Sequence, residues 1–160
     1  MTSATVGSTP FALVAREARD MMTPSPVCVF ASDPIESAAE LLGRYSAVAV
    51  VDHDRRVVGV LARSDLARVY GAMRSVTGAS LSLESRVGED QSGLDWKPPA
   101  KRVAEVMTPR VVTVKTDTPA TEVVKHLSDR RIGRLFVVDG DQALVGVIST
   151  TDVIMRLRPA

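Results

Sequence analysis

Ser149 and Asp152 stand three residues apart in the second half of the chain. One brings a hydroxyl that donates and accepts; the other brings a carboxylate that accepts. They follow Val145-Gly146-Val147-Ile148 and bracket Thr150 and Thr151. The apolar run suits a buried strand, and its glycine lets a neighbouring backbone or ligand come close. The hydroxyl-and-acid run has the residue types that start a helix. Val153, Ile154 and Leu157 then recur at helical spacing. A strand end meeting a helix N-terminus offers free N–H groups and a positive dipole end. A hydroxyl and a carboxylate at that point suit a polyhydroxylated ligand such as a ribose. The same residues also serve as a plain helix cap, and this stretch alone does not separate the two.

The chain contains the stretch twice. Val57-Val58-Gly59-Val60-Leu61-Ala62-Arg63-Ser64-Asp65 matches Leu144-Val145-Gly146-Val147-Ile148-Ser149-Thr150-Thr151-Asp152 at an offset of 87. Upstream, Ala49-Val50-Val51-Asp52 matches Phe136-Val137-Val138-Asp139 at the same offset. Met22-Thr23-Pro24 pairs with Met107-Thr108-Pro109 at an offset of 85, so the second copy gains two residues between its first helix and the next strand. Repeats decide the fold class. The copies run from about Ala18 to Tyr70 and from about Val103 to Leu157.

Each copy must position its acid with the same elements. A short strand follows Met-Thr-Pro, at Val27-Cys28-Val29-Phe30 and at Val111-Val112-Thr113-Val114. A helix then opens with proline in its first position, after Asp33 and after Thr118. Its buried face reads Ile35, Ala38, Ala39, Leu42 in one copy and Ala120, Val123, Val124, Leu127 in the other. Two strands and a closing helix complete the order β-α-β-β-α. Asp139-Gly140 between the second copy's strands is a strong turn signal. Phe11 to Arg19 has a helical spacing of apolar residues.

The domain plan is a flexible segment or short helix over 1–17, repeat one over 18–70, a long loop over 71–102 and repeat two over 103–160. Loops of that length are functional or disordered, and Trp96 is expected to anchor this one, with a partner surface or stacking on a ligand base as the other reading. A net charge of +1 gives no support for general attraction to nucleic acid or membrane. No apolar run reaches the ~20 residues that span a bilayer. Residues 1–10 lack a basic patch followed by an apolar core, so no secretory signal is expected. A single cysteine, Cys28, suits a reducing compartment, and a cytoplasmic protein is expected.

Catalytic and metal chemistry find little here. His53 and His126 have no Cys or His partner at ligand spacing. Cys28 has no base placed beside it by sequence. Phosphate-binding and nucleophile-elbow glycine motifs are absent. No catalytic residue and no metal ligand are assigned. Lys125, Arg130, Arg131 and Arg134 form a basic cluster against only Asp129. Cations are favoured at such a helix C-terminus on their own account.

The repeat grammar resembles the CBS domain, named after cystathionine β-synthase, in its tandem form, the Bateman module. Met-Thr-Pro at each start, the valine-rich strand ending in Asp and the closing Gly-x-x-(Ser/Thr)-x-x-Asp carry the resemblance. It implies a mixed α+β fold of two pseudo-symmetric repeats sharing one core, paired further into a homodimer. It implies a non-catalytic regulatory module that binds AMP, ADP, ATP or a related adenosyl ligand such as S-adenosylmethionine in a cleft between the repeats. No cofactor is implied, and the output is expected to pass to a separate effector protein. Ser149 and Asp152, with Thr151 between them, match the ribose-binding pair. Val112, Thr113 and Val114 match the early strand of the ligand site, and Ile132 and Val27 are implied apolar walls for the base. Arg131 or Arg134 is implied to meet phosphate, a role that arginine's planar fork suits. Copy one departs from the pattern: Ala62 stands at the Ser/Thr position, leaving Asp65 with Ser64 as its only hydroxyl neighbour. Two other readings stay open, a ligand-independent dimerisation scaffold and an enzyme using Cys28 or a histidine.

Overall fold

Ala47-Val48-Ala49-Val50-Val51 and Arg134-Leu135-Phe136-Val137-Val138 are almost continuous apolar runs, the composition of strands covered on both faces. A computed structural model of the chain, which describes residues 10–69 and 101–160, makes both of them inner strands. In chain order the elements are β1 (Phe11–Leu13), a 3₁₀ turn (Ala18–Asp20), β2 (Thr23–Pro24), β3 (Cys28–Phe30), α1 (Ile35–Arg44), β4 (Ala47–Val51) and β5 (Val57–Ala62). Residues 63–69 are helical and are called α2. Then come α3 (Val103–Val106), β6 (Thr113–Lys115), α4 (Ala120–Asp129), β7 (Arg134–Val138), β8 (Leu144–Ser149), α5 (Thr150–Ile154) and β9 (Leu157–Pro159). The fold is mixed α and β. The expectations for residues 1–9 and for the insertion with Trp96 lie outside the described residues, apart from Lys101 and Arg102.

The described chain divides into two compact units. Unit one gathers residues 10–27, 53–57 and 111–160; unit two gathers 28–52, 58–69 and 101–110. Unit one carries the sheet β2-β8-β7-β6 and the ribbon β1-β9. β6 runs parallel to β7, while β2 and β7 run antiparallel to β8. Unit two carries β3-β4-β5, with β3 parallel to β4. In each unit a helix packs on its sheet through the face read from the sequence. α1 buries Ile35, Ala38 and Leu42; α4 buries Ala120, Val123 and Leu127.

The units do not coincide with the sequence repeats, because the segment leading into each copy is built into the other copy. The Ala18 N–H donates to the Thr118 carbonyl at 2.8 Å and the Ala120 N–H donates to Arg16 at 2.8 Å. The mirror pair is Val103 N–H to Asp33 and Ile35 N–H to Lys101, both 2.9 Å. Each lead-in is locked by an acid: Asp20 accepts from the Glu17 and Arg16 amides, and Glu105 from the Arg102 amide. These donors, Glu17 first, hold the Asp20 carboxyl below its ordinary value. Ala18 and Met21 are buried among copy-two residues including Val114, Leu135 and Ile148. Val103 is buried among copy-one residues including Val29, Val50 and Leu61. The buried side chains of each unit form one cluster, and each cluster takes in the lead-in of the other copy.

Local expectations are also revised. Phe11–Leu13 is a strand, not part of a helix, because its residues pair with Leu157–Pro159; the ladder outweighs a short stretch's helical spacing. The first strands begin at Cys28 and Thr113, one and two residues later than read. Pro34 and Pro119 sit at the N-cap, one position before the helix. Asp33 and Thr118 accept from the Phe30 and Lys115 amides, both at 2.9 Å, and so close the strand-to-helix turn instead of capping the helix. At the Asp139 turn the left-handed residue is Gln142 (φ 67°), matching Arg55 (φ 61°) in copy one. Asp139 fixes that turn by accepting from the Asp141 and Ala143 amides, both at 2.9 Å.

Gly59 and Gly146 are where the lead-ins touch their sheets. A Cβ on Gly146 would lie 2.5 Å from the Met22 sulfur; one on Gly59 would lie 2.6 Å from the Met107 sulfur and 2.9 Å from the Thr108 carbonyl oxygen. A thioether can swing aside, but the Thr108 carbonyl, which accepts from the Val60 N–H at 3.0 Å, cannot. Gly59→Ala is therefore expected to destabilise the protein by about 1–3 kcal/mol, the usual cost of overpacking, and Gly146→Ala by less. Urea unfolding of the two variants checks the order; equal losses would show that Met22 is as immobile as backbone.

Candidate functional site

The acid of copy two sits in a complete capping box. Ser149 ends β8 in an extended conformation (φ −105°, ψ 165°) and is the N-cap of α5. Its hydroxyl donates to Asp152 Oδ2 at 2.6 Å, its N–H donates to the same oxygen at 2.7 Å, and the Asp152 N–H donates back to Ser149 Oγ at 3.3 Å. Asp152 is half-buried, and among the described residues its Oδ1 has no partner. A carboxylate fixed by one oxygen and open at the other is oriented to accept from outside.

The other residues named from the sequence distribute around this box unevenly. Arg134 is the cross-strand partner of Ser149 in the β7–β8 ladder. Thr113 pairs with Phe136 on the far side of β7 and is half-buried. Val114 is a core residue, 5% exposed, with Val112 and Ile132 packed against the same cluster. Thr151 is exposed on α5, and Val27 is 40% exposed at the end of the lead-in. Arg131 is exposed, and its backbone is left-handed (φ 51°). It holds the C′ position of α4: its N–H donates to the Ser128 carbonyl and that of Ile132 to the Leu127 carbonyl, both at 3.2 Å. The two extra residues of copy two form this turn.

Copy one keeps the backbone half of the box and changes the rest. The Ala62 N–H donates to Asp65 Oδ2 at 2.8 Å, with no hydroxyl beside it. Asp65 is 3% exposed, and its Oδ1 is taken by the Arg68 guanidinium. Ser64 is exposed on α2. Arg63, at the place of Thr150, donates to the Leu42 carbonyl at 2.6 Å and to the Gly43 carbonyl at 3.2 Å. Sequence reasoning passed over both arginines. Arg68 had a signal, a base three residues after an acid on one helix; the reach of Arg63 back to α1 depends on tertiary structure and had none.

Two shallow apolar grooves lie beside α5. One, of about 320 Å³, is lined by Phe11, Leu13, Thr121, Val124, Val153 and Leu157. The other, of about 230 Å³, is lined by Val124, Leu127, Ser128, Thr150, Val153 and Ile154. Neither is lined by Ser149 or Asp152. Among the described residues no cluster of His, Cys, Asp and Glu could hold a metal ion, and no helix is long and apolar enough to cross a membrane.

The doubled cap, the doubled lead-in and the doubled strand order agree with a family model. The CBS domain model matches residues 18–72 and again 103–159. The chain belongs to the CBS domain family. It is 32% identical over 145 residues to the magnesium transporter MgtE of Thermus thermophilus, covering 86% of this chain and 26% of the transporter. A solved structure of the cytosolic domain of the Mg2+ channel MgtE in complex with ATP superposes with a TM-score of 0.64 at 30% identity, over 88% of this chain and 48% of that one. The structure of CBSX2 in complex with AMP superposes at 0.65 with 25% identity, over 88% of this chain and 95% of that one. The chain spans 26%, 22% and 54% of the length of the first three curated relatives it matches. As a tandem CBS pair it carries two copies of the box, of which only the second is complete.

Completing or removing the hydroxyl should show in stability. Ser149→Ala is expected to cost about 1 kcal/mol, the usual worth of a serine N-cap. Ala62→Ser, which supplies the missing hydroxyl, is expected to be neutral or slightly stabilising. Urea titration reads both, and an unchanged Ser149→Ala would mean that the Asp152 carboxylate alone holds the helix start.

Proposed function

We propose that this CBS pair is a non-catalytic regulatory module that binds an adenine nucleotide or related adenosyl ligand through copy two. The observation that carries the reading is the open Oδ1 of Asp152, held in place by the Ser149 cap. A carboxylate so held suits the adjacent hydroxyls of a ribose. Two similar proteins support the ligand class, one solved with ATP and one with AMP. Arg134, across the strand from Ser149, and Arg131, at the end of α4, are the candidates for phosphate contact; Val112, Thr113, Ile132 and Val27 are candidates for the ligand's apolar surroundings, with Thr151 beside the ribose. Binding acts by population shift, favouring whichever conformation holds the ligand better, and the output passes to a separate effector protein. Cytoplasmic placement goes with this reading, since the similar ATP-bound domain is the cytosolic part of its channel.

A pairing role has its own support. Phe11, Val14, Ile154 and Met155 are each 64–67% exposed, and Phe11 and Ile154 line the two apolar grooves. Surfaces of this kind mark association sites. We propose that the module is a homodimer, and light scattering at micromolar concentration should report roughly twice the 17.1 kDa chain mass.

Titration with ATP, ADP, AMP and S-adenosylmethionine tests the ligand reading. A ligand at a hundred times its Kd stabilises by about 2.7 kcal/mol, roughly a 5–10 °C rise in Tm for a chain of this size. Asp152→Ala is expected to weaken binding roughly ten- to a hundredfold, the worth of a hydrogen bond to a charged group. Asp65→Ala is expected to cost less. Both variants are first shown to be folded. No gain in Tm with any of the four ligands leaves the ligand-independent scaffold as the function.

A further inference from the structure

The two carboxylates differ in one oxygen. In copy two, Asp152 Oδ2 takes both Ser149 donors, and among the described residues Oδ1 is open. In copy one, Asp65 Oδ2 takes the Ala62 amide and Oδ1 takes the Arg68 guanidinium. The Asp65 side chain is 4% exposed, while that of Arg68 is 74% exposed, so the arginine reaches in from solvent and covers the acid. We infer that Arg68 acts as a built-in occupant that closes copy one, so that each chain takes one adenosine-type ligand, in copy two. The inference rests on the nucleotide reading above.

Chemistry favours the arginine over a sugar. A guanidinium gives the carboxylate a charge-assisted hydrogen bond, stronger than a neutral hydroxyl offers. It is tethered three residues away, so it competes as an intramolecular ligand at high effective concentration. Displacing it would also strand a buried carboxylate without its cation. Ala62 removes the hydroxyl that would help to hold the acid for a ligand. The matching position in copy two, at the offset of 87, is Met155, 67% exposed and unable to donate.

Calorimetric titration with AMP and ATP tests this from both sides. Wild type should bind one ligand per chain, and Asp152→Ala should bind it roughly ten- to a hundredfold more weakly. In the Asp152→Ala background, Ala62→Ser with Arg68→Ala should restore binding at least tenfold; the added serine keeps Asp65 supplied with a donor, so the variant is expected to fold. Conversely, Met155→Arg in an otherwise wild-type chain should weaken binding at least tenfold, with light scattering showing that the variant keeps the wild-type mass, since Met155 also lies on the proposed pairing surface. Two ligands on wild type, or one on Asp152→Ala with wild-type affinity, would overturn the closing role of Arg68 and leave the nucleotide reading standing. So would a Met155→Arg chain that binds as wild type does. Binding by the opened variant but not by wild type would support Arg68 as the closing group while removing copy two from the reading. Absence of binding in every chain would overturn both.

Discussion

Each unit depends on a methionine thioether seated on a glycine of a strand. Met22 lies where a Cβ on Gly146 would be, and Met107 does the same at Gly59. Glycine is needed there because its missing side chain is the space the lead-in occupies. The contact carries the buried Ala18 and Met21, or Val103, into a cluster that the rest of that copy leaves open. A copy taken alone would expose this apolar surface to water, at about 25 cal/mol per Å². Duplication is therefore structural as well as historical: each copy lacks a segment that only the other supplies.

The same backbone scaffold then supports different chemistry. The amide-to-carboxylate bonds of Ala62–Asp65 and Ser149–Asp152 agree to 0.1 Å, 2.8 against 2.7 Å. Backbone geometry sets one oxygen of each acid, and side chains decide the other. A pseudo-symmetric fold can thus hold one open and one occupied carboxylate without any change in its strands. Function follows the site and not the fold, and here the two copies of one fold within one chain make that distinction directly.

What was legible in the sequence is what local spacing encodes. The offset of 87 aligned two strands, a turn and a cap, and the faces of α1 and α4 followed from their apolar periodicity. The box around Ser149 was readable because its partners lie within three residues. The exchange of lead-ins was not, because Ala18 and Thr118 are joined by a backbone hydrogen bond between distant segments that carries no sequence signature. Phe11–Leu13 failed for the same reason: its partner strand is at the other end of the described chain. Gly140 invited a left-handed turn, but Asp139 accepts two amides and moves that conformation to Gln142.

The two-residue difference between the copies has a physical meaning that ties these points together. The last carbonyls of α1 and α4 need donors. In copy one, Leu42 and Gly43 receive them from the Arg63 side chain. In copy two the equivalent carbonyls, Leu127 and Ser128, receive them from the backbone amides of Ile132 and Arg131. The extra residues therefore replace an arginine, and position 150 is released to be a threonine that lines a groove instead of a cation that crosses to the helix end. The replacement costs something, because Arg131 must hold a left-handed backbone that glycine would take more easily, by roughly 1 kcal/mol. Glycine would complete the helix end equally well, but it would present no guanidinium at this exposed position.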